Sequence, residues 1–159
     1  MKRETKDTLG YVINGLSIAA FFFLASSLDV SVGLPLVKYL AWILLGFGIF
    51  LIVLSTVTLI RHREEGLIAR GIYGIVRHPM YLGAIVIFLS WIFFVPHWGI
   101  LLISSVNIAI VYWYILQGDC RNIEKFGSPY KRYMQAVPRI NLMAGLLRRV
   151  QNKQVSIEE

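Results

Sequence analysis

Four stretches of this chain run without a single charged side chain: residues 9–28, 39–60, 80–95 and 98–118. A helix rises about 1.5 Å per residue, so twenty such residues reach roughly 30 Å, one hydrocarbon thickness of a bilayer. The third run is only sixteen residues long and stops at Pro96. It spans only if Ile75 and Val76 extend it or the bilayer thins locally, and the expected third helix is put at 75–95. With 57% hydrophobic and 16% charged residues, 159 positions carry more apolar surface than one soluble core of this length hides. The expected fold class is therefore an all-α integral membrane protein, one membrane domain over residues 1–159. It has four transmembrane helices, near 9–28, 39–60, 75–95 and 98–118, followed by cytoplasmic interfacial helices in an amphipathic region, 119–159.

Lys2, Arg3 and Lys6 precede the first run as they would a secretory leader. The run is too long for the apolar part of a leader, and Ser26-Ser27-Leu28-Asp29 is a poor cleavage context, so it is kept as the first helix. Fifteen of the sixteen Lys and Arg residues fall in the amino-terminal tail, between spans two and three, or after span four. The opposite loops hold Lys38 alone, against Asp29. That asymmetry places both termini in the cytoplasm. The net charge of +7 then follows from topology and attraction to anionic headgroups, with no call for nucleic acid. Cys120 is the single cysteine, so no intramolecular disulfide exists and it is assigned no role.

Past Asp119 the chain turns amphipathic. Ser128-Pro129 is an N-cap and first-turn proline opening a short helix that Pro138 ends, and Asn141 caps a second. On the second, Leu142, Leu146, Leu147 and Val150 form an apolar stripe suited to the membrane surface. Trp91, Trp98 and Trp113 near helix ends suit the headgroup level. Gly46 and Gly48 lack the strand and third glycine of a nucleotide-binding loop, which leaves helix packing.

The chemistry concentrates in Arg77-His78-Pro79-Met80-Tyr81, at the mouth of an apolar run, where polar groups mark a functional site. Since spans three and four form an antiparallel hairpin, this cluster meets Asp119 at one depth. Taken singly, Arg77 is explained as a topological anchor, Tyr73 and Tyr81 as belt aromatics, and Pro79 as a helix-start proline. The order of the motifs is more specific than any member. Leu67-Ile68, Gly71-Ile72-Tyr73 and Arg77-His78-Pro79-Met80-Tyr81-Leu82-Gly83, then Phe126-Gly127, Tyr130, Tyr133 and Val137-Pro138-Arg139, resemble the isoprenylcysteine carboxyl methyltransferase and phospholipid methyltransferase family. The resemblance covers roughly residues 66–139.

It implies a methyltransferase that uses S-adenosylmethionine and acts on a lipid or prenylated amphiphile at the cytoplasmic face of the membrane. Leu67, Ile68, Tyr73, His78, Pro79, Met80 and Tyr81 are implied to line the donor site, and Arg77 to orient the reactants as the catalytic residue. Where family members carry paired Glu, this chain has Gly118-Asp119, so Asp119 supplies one carboxylate for the donor's ammonium or ribose. Methyl transfer from a sulfonium depends on in-line alignment in a fixed, water-poor pocket and requires no metal; no metal-ligand spacing is present. An alternative is a sterol-reductase-like enzyme holding NADPH through a similar Arg-His-Pro segment, but that motif has Asn where this chain has Met80 and Glu where it has Ala84. A noncatalytic lipid-binding relic is the remaining alternative, favoured only by Gly118.

Overall fold

The computed structural model describes residues 3–27, 35–64 and 66–158, and among these every regular element is helical. Lys2, Leu28 and Asp29, used above for topology, lie outside the described residues. The helices are α1 (Arg3–Ser27), α2 (Pro35–Arg61), α3 (Pro79–Phe94), α4 (Trp98–Phe126), α5 (Ser128–Ala136) and α6 (Leu142–Glu158), with one 3-10 turn at Gly71–Gly74. Two of them, α2 and α4, are long and apolar enough to cross a membrane; Gly15–Leu24 within α1 and the whole of α3 are shorter apolar helices. At 27 residues α2 reaches about 40 Å, whereas the 16 residues of α3 reach about 24 Å.

The third helix starts later than its sequence suggested. Ile75 and Val76 do not extend it: Ile75 closes the 3-10 turn through its N–H to the carbonyl of Ile72, and the helix opens at Pro79. A residue before proline is disfavoured in the α region, so the helix cannot be carried back through His78, while Pro79 itself suits a first helical position. The fourth helix runs longer, past the expected end at 118 to Phe126, which puts Asp119 two turns inside it.

The chain divides into two compact units, Met1–Ile49 with Ala84–Tyr114 and Phe50–Gly83 with Ile115–Glu159. In the first, Phe21 is buried and packs edge-on against Trp91 at 4.9 Å between centroids, and Trp42 meets Phe94 in the same way. Trp91 thus packs among aromatic rings within this unit. Asn107 is fully buried, its Oδ1 accepting from the Ser17 hydroxyl at 2.8 Å, so a polar pair ties α1 to α4 among apolar side chains.

The second unit has two cores. Leu51, Ile72 and Val76 form one, joined by Leu54, Leu82 and Leu142; Tyr130, Tyr133 and Val137 form the other, joined by Leu67, Ile123 and Phe126. Between α4 and α5 the chain reverses at Gly127, whose φ of 61° is open to glycine at little cost. Gly127 is therefore the N-cap of α5, one residue ahead of the expected Ser128, and Pro129 still falls in the first turn. Asn141 caps α6 as its side chain predicts, accepting from the Ala144 N–H at 3.0 Å. Helix α6 packs by its first turns: Leu142 joins the first core, and Gly145 lies so close to the Ile75 carbonyl that a Cβ there would overlap it. The expected apolar stripe is thereby split, Leu142 turning inward while Leu146, Leu147 and Val150 stay exposed.

Candidate functional site

The site lies within the second unit, where the two sequence motifs are joined by their backbones. The N–H of Arg77 donates to the Pro138 carbonyl at 3.0 Å and that of His78 to the Arg139 carbonyl at 3.1 Å. A helix starting at Pro79 leaves these two N–H groups without intrahelical partners, and the extended Val137-Pro138-Arg139 segment accepts them. A further tie comes from the Tyr133 hydroxyl, which donates to the Tyr73 carbonyl at 2.6 Å. The hydroxyls of Tyr73 and Ser55 lie 2.6 Å apart.

At the centre is the Asp119 carboxylate, 4% exposed. Its Oδ1 accepts from Arg77 Nη1 at 3.0 Å, His78 Nε2–H at 2.8 Å and the Tyr130 hydroxyl at 2.6 Å; its Oδ2 accepts from Arg139 Nε at 2.9 Å. One carboxylate thus serves two guanidiniums, a ring N–H and a phenol from three separate segments. Buried charges persist only when paired and hydrogen-bonded in this way. Four protein donors, from Arg77, His78, Tyr130 and Arg139, occupy the oxygens of Asp119, the carboxylate expected to meet the donor, and it lines neither of the cavities described next.

Two cavities share Leu59, Tyr73, Arg77 and Asn122 in their walls. The first, about 210 Å³, adds Leu67, Ile68, Lys125, Phe126, Tyr130 and Tyr133. The second, about 310 Å³, adds His78, Pro79, Met80, Tyr81, Gly118 and Arg121. Small-molecule sites run from about 300 to 1,000 Å³, a range the two reach together. Of the residues singled out in the sequence, Leu67 and Ile68 fall on the first cavity, His78 to Tyr81 on the second, and Tyr73 and Arg77 on both. Arg77 is 9% exposed, and although Nη1 is bonded to Asp119, its Nε has no hydrogen-bond partner. A buried donor left unsatisfied costs about 1–3 kcal/mol. Burial raises the pKa of the Tyr73, Tyr130 and Tyr133 hydroxyls above the ordinary phenol value, so these rings stay neutral donors at physiological pH.

No protein-family model, curated protein or solved structure matches the chain. The site is therefore read from its own geometry. Sequence reasoning missed several residues of the site, and for some a signal existed. Gly118, Asn122, Lys125 and Phe126 recur at helical spacing on one side of α4, the side facing the cavities. Tyr130 and Arg139 stood in the downstream motif without a stated role. Leu59 and Ser55, inside the apolar run of α2, carried no signal at all.

Proposed function

We propose that this chain is an integral membrane methyltransferase that draws on S-adenosylmethionine and modifies an amphiphile at the cytoplasmic face of the bilayer. The observation that carries the reading is the joining of its two motifs: Arg77 and His78 are bonded through their backbones to Pro138 and Arg139 and through their side chains to Asp119, beside a pair of cavities. That juxtaposition is the one implied by the resemblance to the isoprenylcysteine carboxyl and phospholipid methyltransferases.

The residues present suit the donor. Tyr73, Phe126, Tyr130, Tyr133 and Tyr81 offer aromatic faces for a nucleoside. S-adenosylmethionine, when bound, supplies an electrophilic methyl group on a sulfonium. The protein's part is orientation and exclusion of water: Asp119 holds Arg77 and His78 in one arrangement, and neutral tyrosines line the walls. Residues Leu67, Ile68, Tyr73, His78, Pro79, Met80 and Tyr81 form the donor site, and Arg77 aligns the reactants.

In this reading the membrane arrangement is four spans with both termini cytoplasmic and α5 and α6 at the interface. Only 22% of the most apolar stretch of α2 is buried, the reverse of a soluble protein's core helix, and its Leu36, Trp42, Ile43, Phe50 and Ile60 are exposed. Such a belt suits lipid. Labelling tests the orientation in a Cys120→Ser background. A cysteine placed at His97 should react with an impermeant reagent added to intact cells, and one at Ser128 should not; labelling at Ser128 would reverse the topology.

Donor binding tests the function itself. Titrating purified protein in detergent with S-adenosylhomocysteine, and in parallel with NADPH, should give heat for the first alone. His78→Ala, which removes a wall of the second cavity and a partner of Asp119, should weaken that binding by about 1–3 kcal/mol. Binding of NADPH in place of S-adenosylhomocysteine would favour the reductase alternative.

A further inference from the structure

We infer that α6 is a membrane-responsive clamp: its exposed apolar face docks on an anionic bilayer surface, and docking holds residues 71–76, with Tyr73 in the walls of both cavities, in their ligand-binding arrangement. The clamp rests on the methyltransferase reading only in naming that ligand the methyl donor. Helix α6 lies beyond residues 66–139, the stretch that resembles the methyltransferase family, so nothing in that resemblance assigns it. Toward the protein, Leu142 joins the core of Leu51, Ile72 and Val76, Gly145 lies against the Ile75 carbonyl, and Arg149 Nη1 donates to the Gly71 carbonyl at 3.1 Å. Contacts spread over two turns of the helix thus grip one short segment at both ends. That segment supports itself poorly: a 3-10 turn has weaker hydrogen-bond geometry than an α-helix, and this one opens on Gly71 at a φ of 58° and closes on Gly74. It leads directly into Arg77.

The other face of α6 names the partner. Met143, Leu146, Leu147 and Val150 recur at i, i+3, i+4 and i+7, one side of a helix, and all four are exposed. Around them the charge has one sign. Residues 128–150 hold Lys131, Arg132, Arg139, Arg148 and Arg149 and no carboxylate, and all of these cations but Arg139 are exposed. Apolar side chains flanked by cations match a helix lying in the membrane plane, whose binding grows with the content of anionic lipid. Confined to that plane beside the protein, α6 meets residues 71–76 at a raised effective concentration. A lipid surface that engages the docked helix therefore favours the ordered segment, and the coupling is reciprocal.

The test uses the full chain in nanodiscs of phosphatidylcholine alone and of phosphatidylcholine with about 30% phosphatidylglycerol. Hydrogen exchange reads the segment directly, through the Tyr73, Ile75 and Val76 amides bonded within the turn. They should exchange at least about fivefold more slowly in the anionic discs, and S-adenosylhomocysteine, which has no net charge for a surface potential to attract, should bind at least about fivefold more tightly there. Leu147→Gln combined with Val150→Gln strips the apolar face and leaves every cation in place. Both differences should then shrink below about twofold, with affinity in phosphatidylcholine unchanged from wild type. Gly145→Ala, whose methyl group forces the helix off the Ile75 carbonyl, should abolish the response as well. Unchanged exchange in the anionic discs, or a response that survives in the double variant, overturns the clamp. S-adenosylhomocysteine bound equally in both discs with equal exchange overturns the clamp and leaves the methyltransferase reading standing. Slower exchange in the anionic discs without any binding of S-adenosylhomocysteine overturns that reading and leaves the clamp standing.

Discussion

Replacing Asp119 by Asn should destabilise the protein by about 3–5 kcal/mol, the largest effect expected of any single polar substitution here. The amide keeps the size of the side chain and one acceptor oxygen, so His78 and Tyr130 retain a partner. What disappears is the negative charge facing Arg77, whose side chain is 7% exposed and has no alternative counter-ion among the described contacts. Arg139 matters less, because its side chain is 33% exposed and can turn toward water. Unfolding in detergent, followed by circular dichroism against denaturant, measures the loss. Asp119→Glu, with its charge retained on a longer stem, should lie between the variant and wild type. An Asn variant as stable as wild type would mean that Arg77 is neutralised by something other than Asp119, and the positioning role would go with it.

For Arg77→Lys the expected result is a variant that folds and binds donor but transfers methyl at least about tenfold more slowly, roughly 1.4 kcal/mol of lost transition-state stabilisation. The ammonium can keep the bond to Asp119 that Arg77 makes through Nη1, so stability changes little. A single nitrogen on a flexible stem cannot reproduce the rigid planar fork of donors that a guanidinium presents. Incorporation of radiolabelled methyl into extracted lipids at saturating donor is the measurement, with S-adenosylhomocysteine affinity determined alongside. Transfer at the wild-type rate would reduce Arg77 to a structural ion-pair partner. A loss of donor affinity equal to the loss of rate would move Arg77 from alignment to donor binding.

Much of this was legible in the chain itself, for local reasons. The apolar runs declared helices because a backbone with no charged side chains and no turn residues has few other ways to satisfy its hydrogen bonds away from water. Pro79, Pro138 and Asn141 marked helix boundaries because a missing N–H and a capping oxygen act within one turn. The facing of the Arg77 cluster and Asp119 followed from a tight hairpin, since two antiparallel helices joined by Pro96-His97 return the chain to the same level.

Other features depend on contacts between residues far apart in sequence. The N–H groups of Arg77 and His78, left open ahead of the helix that Pro79 starts, find carbonyls some sixty positions later, at Pro138 and Arg139. The four protein groups gathered on Asp119 meet there because Tyr130 and Arg139 return to it from beyond α4. The place of Ser55 beside Tyr73 likewise came from packing. The sequence by itself determined the helical class, the apolar character of the long helices and which residue types gather at the site, because periodicity, proline and charge act over a few residues. Only the tertiary structure decided which carboxylate oxygens are taken and which arginine nitrogen is left over, because a hydrogen bond is made or missed within about half an ångström and that accuracy is set by the whole packed unit.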